Sequence, residues 1–491
     1  MEKDTTPGLK QKTAKGLLWG GIGSGASQLL NLAFGIFLAR LLSPADYGVI
    51  GALTIFSAMA GIFSESGFTL AIVNKREVSD IDYNSMFWFN VTASVIFYAL
   101  LFFLAPAIAD FYHQPEMVPL ARFLFLGFVS GGIMTAPSAY LFRNLQVKER
   151  SSAQVIGIIV SGTVGVTCAS LGWGYWGLAV QTVTYSVTAA VVMWWHCPWR
   201  PSLKFSRESL LSMLPFSSKQ LVTTLFTHIN NNFFSVLLGR FYGMRPTGFY
   251  TQGSKWTTMG NSTITGMISS VGQPVLRETR DDPERLRGVF SKMMRFTAFV
   301  SFPAMFGLAI TAEELITVTV TDKWLESVPV IRILCAGSAF LPIGVLYANL
   351  FNSLGRPNIY MWNTIGLGLT QLACVLVSYR FGLNTMLAVY STVNILWICV
   401  WQHFARKYAG IRAGRVIRDI APYAAISLAV MAVTVAVTSP LSHIPMLSLG
   451  AKVIVAVGLY SLVLWRLNSV MFSESVNYLL RRKSRQPDGN G

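Results

Sequence analysis

The sequence predicts an all-α, polytopic membrane protein, and three observations carry that prediction. Of 491 residues, 53% are hydrophobic and 12% charged, where a soluble domain carries about 25% charged residues. A membrane span needs about 20 mostly apolar residues, and about fourteen such stretches follow one another, leaving no room for a large soluble domain. Lastly, residues 28–48, QLLNLAFGIFLARLLSPADYG, recur as residues 228–248, HINNNFFSVLLGRFYGMRPTG. At that offset Asn31 meets Asn231, Phe34 meets Phe234, Leu38 meets Leu238, Arg40 meets Arg240 and Gly48 meets Gly248. Self-similarity at a fixed period marks a repeated unit. Each copy reads as an apolar helix with an Asn partway along, a closing Arg, a short turn with Pro44 or Pro246, then a second apolar helix. The plainer alternative is two ordinary hairpins that look alike because membrane helices share a small alphabet.

The spans fall near 15–39, 46–66, 84–109, 118–142, 152–172, 175–195, 210–239, 246–274, 288–311, 329–353, 358–379, 384–404, 420–438 and 448–466, with edges good to a few residues. Residues 1–14 form an N-terminal tail and 15–195 a first lobe of six spans. Residues 196–209, polar, basic and Pro-bearing, are the linker to a second lobe at 210–404. Two further spans lie in 405–466, and 467–491 is a basic tail that includes an interfacial helix at 470–480. The first apolar run outlasts a signal peptide's core and is closed by Arg40, so it reads as a retained first helix.

The net charge of +17 raises nucleic acid as a partner, but the distribution points to lipid. Lys75 and Arg76, Arg143, Lys148 and Arg150, Arg200, Lys204 and Arg207, Arg277 to Lys292, Arg356, and Arg406 to Arg418 fall on alternate loops, whereas Arg240, Arg245, Lys323 and Arg380 are thinly spread on the others. This positive-inside bias places both termini in the cytoplasm and asks for no partner beyond anionic headgroups. The five cysteines are scattered without CxxC, and the five histidines lack metal-ligand spacing. The cysteines read as small buried hydrophobes rather than a disulfide frame or a metal site, and the histidines offer no metal site. Without GxxxxGK[ST] the chain has no ATP site of its own, and no cofactor is expected beyond a coupling H⁺ or Na⁺.

Along the chain, Gly16, Gly20, Gly21, Gly23 and Gly25 suit close packing of the first helix, and Gly157, Ser161 and Gly165 form a second small-residue stripe. Ser79-Asp80-Ile81-Asp82 reads as a helix cap rather than a glycosyltransferase's metal motif. The densest polar content of any span is Lys219, Gln220, Thr223, Thr224, Thr227, His228, Asn230, Asn231 and Asn232, followed by Gln252, Lys255, Asn261 and Gln273 in the next. A mid-membrane charge costs roughly 2.5–3.5 kcal/mol on insertion scales, so those retained face water or a partner. Arg122 and Arg295, near span ends, suit snorkelling. Lys219 and Lys255 lie deeper, and acids fall in tails, loops or at helix ends, so the two lysines lack an obvious counter-ion. Together with Gln28, Asn31, Asn231 and Asn261 they outline a wet, positive cavity for an anionic substrate, with Arg40, Arg240, Arg122 and Arg295 as outlying contributors. Pyrophosphate joined to sugars fits: cations hold phosphates, and amides and hydroxyls hold sugars. Glu65 is the candidate for a coupling ion, against the alternative of a capping acid.

Residues 38–48 (LARLLSPADYG), 73–77 (VNKRE) and 87–90 (FWFN), then 238–240 (LGR), 247–250 (TGFY), 280–287 (RDDPERLR) and 322–324 (DKW), resemble the polysaccharide exporters of the Wzx type, in the colanic-acid-exporter branch. The likeness weakens after about residue 379. It implies the multidrug/oligosaccharidyl-lipid/polysaccharide (MOP) fold: two six-helix lobes in a V, with alternating access. It also implies flipping of undecaprenyl-pyrophosphate-linked oligosaccharide across a bacterial inner membrane, with two extra C-terminal helices receiving the lipid tail. Polymerase and assembly proteins are the implied partners. A multidrug antiporter of the same fold is the alternative, and it predicts buried carboxylates. A membrane polymerase predicts a long outer loop with catalytic groups, where the loops here are short, and an inert scaffold predicts that loss of Lys219 or Lys255 is silent.

Overall fold

The computed structural model describes the backbone of residues 9–64, 67–75 and 77–483, and side chains within 19–56, 68–75, 77–217 and 224–477 except 70, 73, 74 and 216 and 218–223. All regular elements among these residues are helical. Among the described residues eleven helical segments are long and apolar enough to cross a membrane. The chain divides into two compact units, Met1–Thr251 and Gln252–Gly491.

The first unit comprises α1 (Leu9–Leu41), α2 (Pro44–Ser64), α3 (Gly67–Asn74), α4 (Asp80–Tyr112), α5 (Met117–Leu124), α6 (Leu126–Arg143), α7 (Val147–Ser170), α8 (Tyr175–His196), α9 (Arg207–Tyr242) and the start of α10 (Met244–Glu278). Helix α1 packs on α7, α7 on α8, and α6 on α8, α4 and α2, while α9 packs on α2, α3 and α4. Small residues sit where these helices meet: Gly157 faces the Tyr185 ring and Gly165 faces Gln181, both on α8, and Gly23 faces Ser151 of α7. Gly21 and Gly25 meet nothing within 4 Å, so close packing accounts for only part of the glycine run in α1.

The two copies of the repeat start their second helices differently. At α2, Ser43 and Asp46 form a reciprocal cap, the Ser43 N–H donating to Asp46 Oδ2 at 2.8 Å and the Asp46 N–H to Ser43 Oγ at 3.3 Å. At α10 the corresponding residue is Gly243, whose φ of +83° is open to glycine at no steric cost. Ser79 and Asp82 likewise cap α4, the Ser79 N–H donating to Asp82 Oδ2 at 2.9 Å. Asp82 also takes the Lys75 ammonium at 2.8 Å and the Ser209 hydroxyl. Within the Asp-Ile-Asp run, Asp82 is thus a buried cap and inter-helix tie, as the run's position before an apolar stretch predicts.

The second unit holds the rest of α10, then α11 (Pro283–Val320), α12 (Ser327–Ser338), α13 (Leu341–Ser353), α14 (Pro357–Ser378), α15 (Leu383–Ala409), α16 (Ala413–Thr438), α17 (Pro445–Arg466) and α18 (Val470–Lys483). Helix α11 is its spine, packing on α12, α13, α16 and α17. Its start is fixed by Asp282, which accepts from the N–H groups of Glu284 and Arg285 at 3.0 and 3.1 Å, with Pro283 in the first turn. Tyr347, fully buried, donates to Gln402 Oε1 at 2.6 Å, and Gln402 donates on to the Ile411 carbonyl at 2.7 Å. That chain ties α13, α15 and the α15–α16 connection.

Candidate functional site

Helix α10 is 35 residues long and is divided lengthwise. Gly253, Thr257, Ile264, Ile268 and Gly272 are buried, on one face at helical spacing. Gly253 abuts Val330 of α12, and Gly272 abuts Asn349 of α13, whose Nδ2 is 2.6 Å from where a Cβ would stand. The opposite face is exposed and polar: Thr258, Ser262, Gly266, Ser269 and Gln273. Lys255, three residues before Thr258, heads the same stripe and is half-buried. A helix facing acyl chains on that side would carry Leu and Val there; hydroxyls and an amide call for water or a polar ligand. Among the described residues Lys255 has no ion-pair partner. Among the described residues, the buried α10 atoms Gln252 Oε1, Trp256 Nε1 and Asn261 Oδ1 have no hydrogen-bond partner. Buried orphan groups of this kind are rare in folded proteins and point to bound water or ligand.

In the first unit Gln28 and Asn31 lie on an exposed polar stripe of α1, with Gly21 and Ser24. Asn231 is exposed on α9. Lys219 falls within α9, but its side chain lies outside the described residues, as does Glu65 altogether. The arginines have local work. Arg122 Nε donates to the Phe102 carbonyl at 3.2 Å, and its guanidinium lies 4.1 Å from the Phe102 ring centre. Arg240 bonds His113 and lies 5.4 Å from the Phe111 ring centre. Arg40 is exposed at the end of α1.

In the second unit Arg295 pairs with Asp419 of α16 at 3.5 Å, and Asp419 also accepts from Ser291. Helix α11 runs nine residues beyond the span expected to end at 311, and so carries Glu314 inside the helix. Glu314 is buried and takes the Lys452 ammonium and the Ser448 hydroxyl, the latter at 2.9 Å, both from α17. Lys452 donates in addition to the Ile310 carbonyl at 3.0 Å. The expected lack of carboxylates among the spans is corrected by Glu314 and Asp419: both are buried within helices, but each has a basic partner, Lys452 and Arg295. Sequence signals for the Glu314–Lys452 pair existed, namely a lysine inside the 448–466 span with Ser448 one turn before it, but the two partners are 138 residues apart.

A profile described as polysaccharide biosynthesis protein matches residues 37–329. The chain belongs to this family. The match takes in α2 to α11, and with them Lys219 and Lys255, while the partners Asp419 and Lys452 lie beyond it. Among relatives, the lipopolysaccharide biosynthesis protein WzxC of Escherichia coli (strain K12) is 26% identical over 359 residues, covering 72% of each chain. The resemblance to Wzx-type exporters read from residues 38–48 and their sequel therefore holds. Among solved structures, the lipid II flippase MurJ in an inward closed conformation gives a TM-score of 0.75 over 92% of this chain and 99% of its own, at 14% identity. An inward-facing multidrug resistance MATE family transporter of the MOP superfamily gives 0.64 over 78% of this chain and 94% of its own, at 16% identity. At those identities the two structures establish the fold alone, which this chain shares with them.

Proposed function

We propose that this member of the polysaccharide biosynthesis family flips undecaprenyl-pyrophosphate-linked oligosaccharide repeat units from the cytoplasmic to the periplasmic leaflet of the bacterial inner membrane, by alternating access. The observation that carries the reading is the α10 stripe: a cation without a carboxylate partner, followed down one exposed helix face by hydroxyls and an amide. Lys255 neutralises pyrophosphate, and Thr258, Ser262, Ser269 and Gln273 meet sugar hydroxyls. Lys219, Gln28, Asn31, Asn231 and Asn261 are further proposed contacts. Fourteen spans, lobes at 15–195 and 210–404, an added pair within 405–466 and cytoplasmic termini belong to the same proposal, supported by the eleven helical segments among the described residues that are long and apolar enough to cross a membrane. The chain performs no bond chemistry in this scheme, and the polymerase of the same pathway is the proposed partner downstream. An H⁺ or Na⁺ gradient, or consumption of the product, drives the cycle.

The alternative, a MOP-superfamily multidrug antiporter, has the MATE likeness in fold behind it. It requires a carboxylate free to exchange an ion against an organic cation, and the buried Glu314 is held by Lys452 instead. The test is transfer of labelled lipid-linked oligosaccharide in proteoliposomes by wild type and by Lys255→Gln and Lys219→Gln. Loss of transfer with intact insertion supports the assignment. Wild-type transfer by both variants removes the lysines from the site, and drug efflux without oligosaccharide transfer replaces the reading with the antiporter.

A further inference from the structure

The connection between α8 and α9, residues 197–206, is held rigidly against α4. The Trp88 indole donates to the Ser202 carbonyl at 2.8 Å, the Ser202 N–H to Asn84 Oδ1 at 2.6 Å, and the Ser206 N–H to Ser85 Oγ at 2.8 Å. The Trp199 indole donates to Asp80 Oδ1 at 2.7 Å and stacks on Trp194, ring centres 5.9 Å apart. A segment so fixed nevertheless turns Leu203 (90% exposed) and Phe205 (54%) outward, with Trp195 (84%) beside it on α8. Two open grooves flank it. One, of about 340 Å³, is lined by Trp88, Phe89, Thr92, Leu203 and Phe205. The other, of about 440 Å³, is lined by Val191, Trp194, Trp195 and Arg200. Arg200 Nη1 is engaged by the carbonyls of Trp199, at 2.9 Å, and Cys197. This aims the guanidinium and leaves Nη2 and Nε for an anion. Lys204 is exposed between the two outward apolar residues.

We propose that this connection is a binding site for an anionic glycerophospholipid of the surrounding leaflet. Its phosphate is taken by Arg200 and Lys204, and its acyl chains lie along Leu203, Phe205 and the aromatic walls of the grooves. The charge is complementary: Arg200, Lys204 and Arg207 gather within eleven residues that hold no acid between His196 and Arg207. The setting fits too, because Trp and basic residues concentrate where a span meets the headgroups, and basic residues near an anionic surface are attracted to it. The grooves fall within the ~300–1,000 Å³ range of small-molecule sites. The bound lipid would keep the connection seated while α9 moves. The site is independent of the transported substrate, so it stands or falls apart from the flippase reading.

The test uses the full-length purified protein, with phosphatidylglycerol or phosphatidylcholine added in detergent and retained lipid counted by native mass spectrometry. Wild type is expected to retain phosphatidylglycerol in preference to phosphatidylcholine. Arg200→Gln/Lys204→Gln should lose about tenfold in apparent affinity for phosphatidylglycerol, and Leu203→Ser/Phe205→Ser should lose retention of both lipids. Because Arg200 also bonds the connection's backbone, Lys204→Gln alone is the control that leaves it intact and should lose part of the preference. Equal retention of the two lipids by wild type, or unchanged retention in all three variants, overturns the proposal.

Discussion

Gly48 and Gly248 mark a self-crossing of the repeat. A Cβ on Gly48 would overlap the carbonyl of Met244, and a Cβ on Gly248 would overlap the carbonyl of Pro44. Met244 is to Gly248 what Pro44 is to Gly48, so the two contacts are one contact seen twice, as a two-fold axis requires. Gly51 confirms the axis: its closest neighbour is Thr251, its own counterpart in the other copy. The starts of α2 and α10 thus touch backbone to backbone. Glycine is required at 48 and 248 because no side chain fits, while the identities at Asn31 and Asn231 carry no such reason in the packing.

Gly48→Ala and Gly248→Ala should therefore destabilise to similar extents, at or above the upper end of the ~1–3 kcal/mol typical of overpacking, since the obstructing atoms are backbone. Thermal unfolding of the purified variants reads this. Gly51→Ala should be relieved by Thr251→Ala, because the obstruction there is a side chain. Additive losses in that double variant would contradict the crossing.

Lys452→Met should cost roughly 3–5 kcal/mol, because it leaves the Glu314 carboxylate buried and unpaired. Glu314→Leu/Lys452→Met removes both charges and should recover most of that loss. Chemical or thermal unfolding of the two variants distinguishes a structural clamp from a transport group: the double variant should also retain transport.

On α10, Ser262→Leu and Ser269→Leu should leave stability near wild type and lower oligosaccharide transfer about tenfold, equivalent to ~1.4 kcal/mol in the barrier. Thr257→Leu, on the buried face and donating to the Gly253 carbonyl at 2.9 Å, should do the reverse and lower stability first. The pair of readouts, unfolding and transfer in the same proteoliposome preparation, tests which face meets substrate.

Cys197 lies in the connection after α8 and is fully buried. Burial pushes its thiol above the ordinary cysteine range, so the reactive thiolate is scarcer at neutral pH than in a free thiol. A variant retaining Cys197 alone should resist a water-soluble maleimide at pH 7. Its labelling should rise with pH, with a midpoint above that of free cysteine, and labelling at the free-thiol rate would show that the connection opens.

Hydropathy by itself determined the helices. Among the described residues a helix falls in each expected span, with 118–142 and 329–353 each divided between two, α5 and α6 and α12 and α13, because a chain in a bilayer has to satisfy its backbone hydrogen bonds within the segment, and apolar length can be read locally. The repeat was legible as well, since identities at a fixed offset need no coordinates. Packing against α12 and α13 decided which face of α10 is buried, and hence that Lys255, Ser262 and Ser269 share the polar one. The tertiary structure also decided that Glu314 lies inside a helix and is claimed by Lys452, and that Arg295 is paired with Asp419 rather than left to snorkel. Those partners are separated by more than a hundred residues, and a Coulomb interaction acts through distance in space, which composition and periodicity along the chain do not encode.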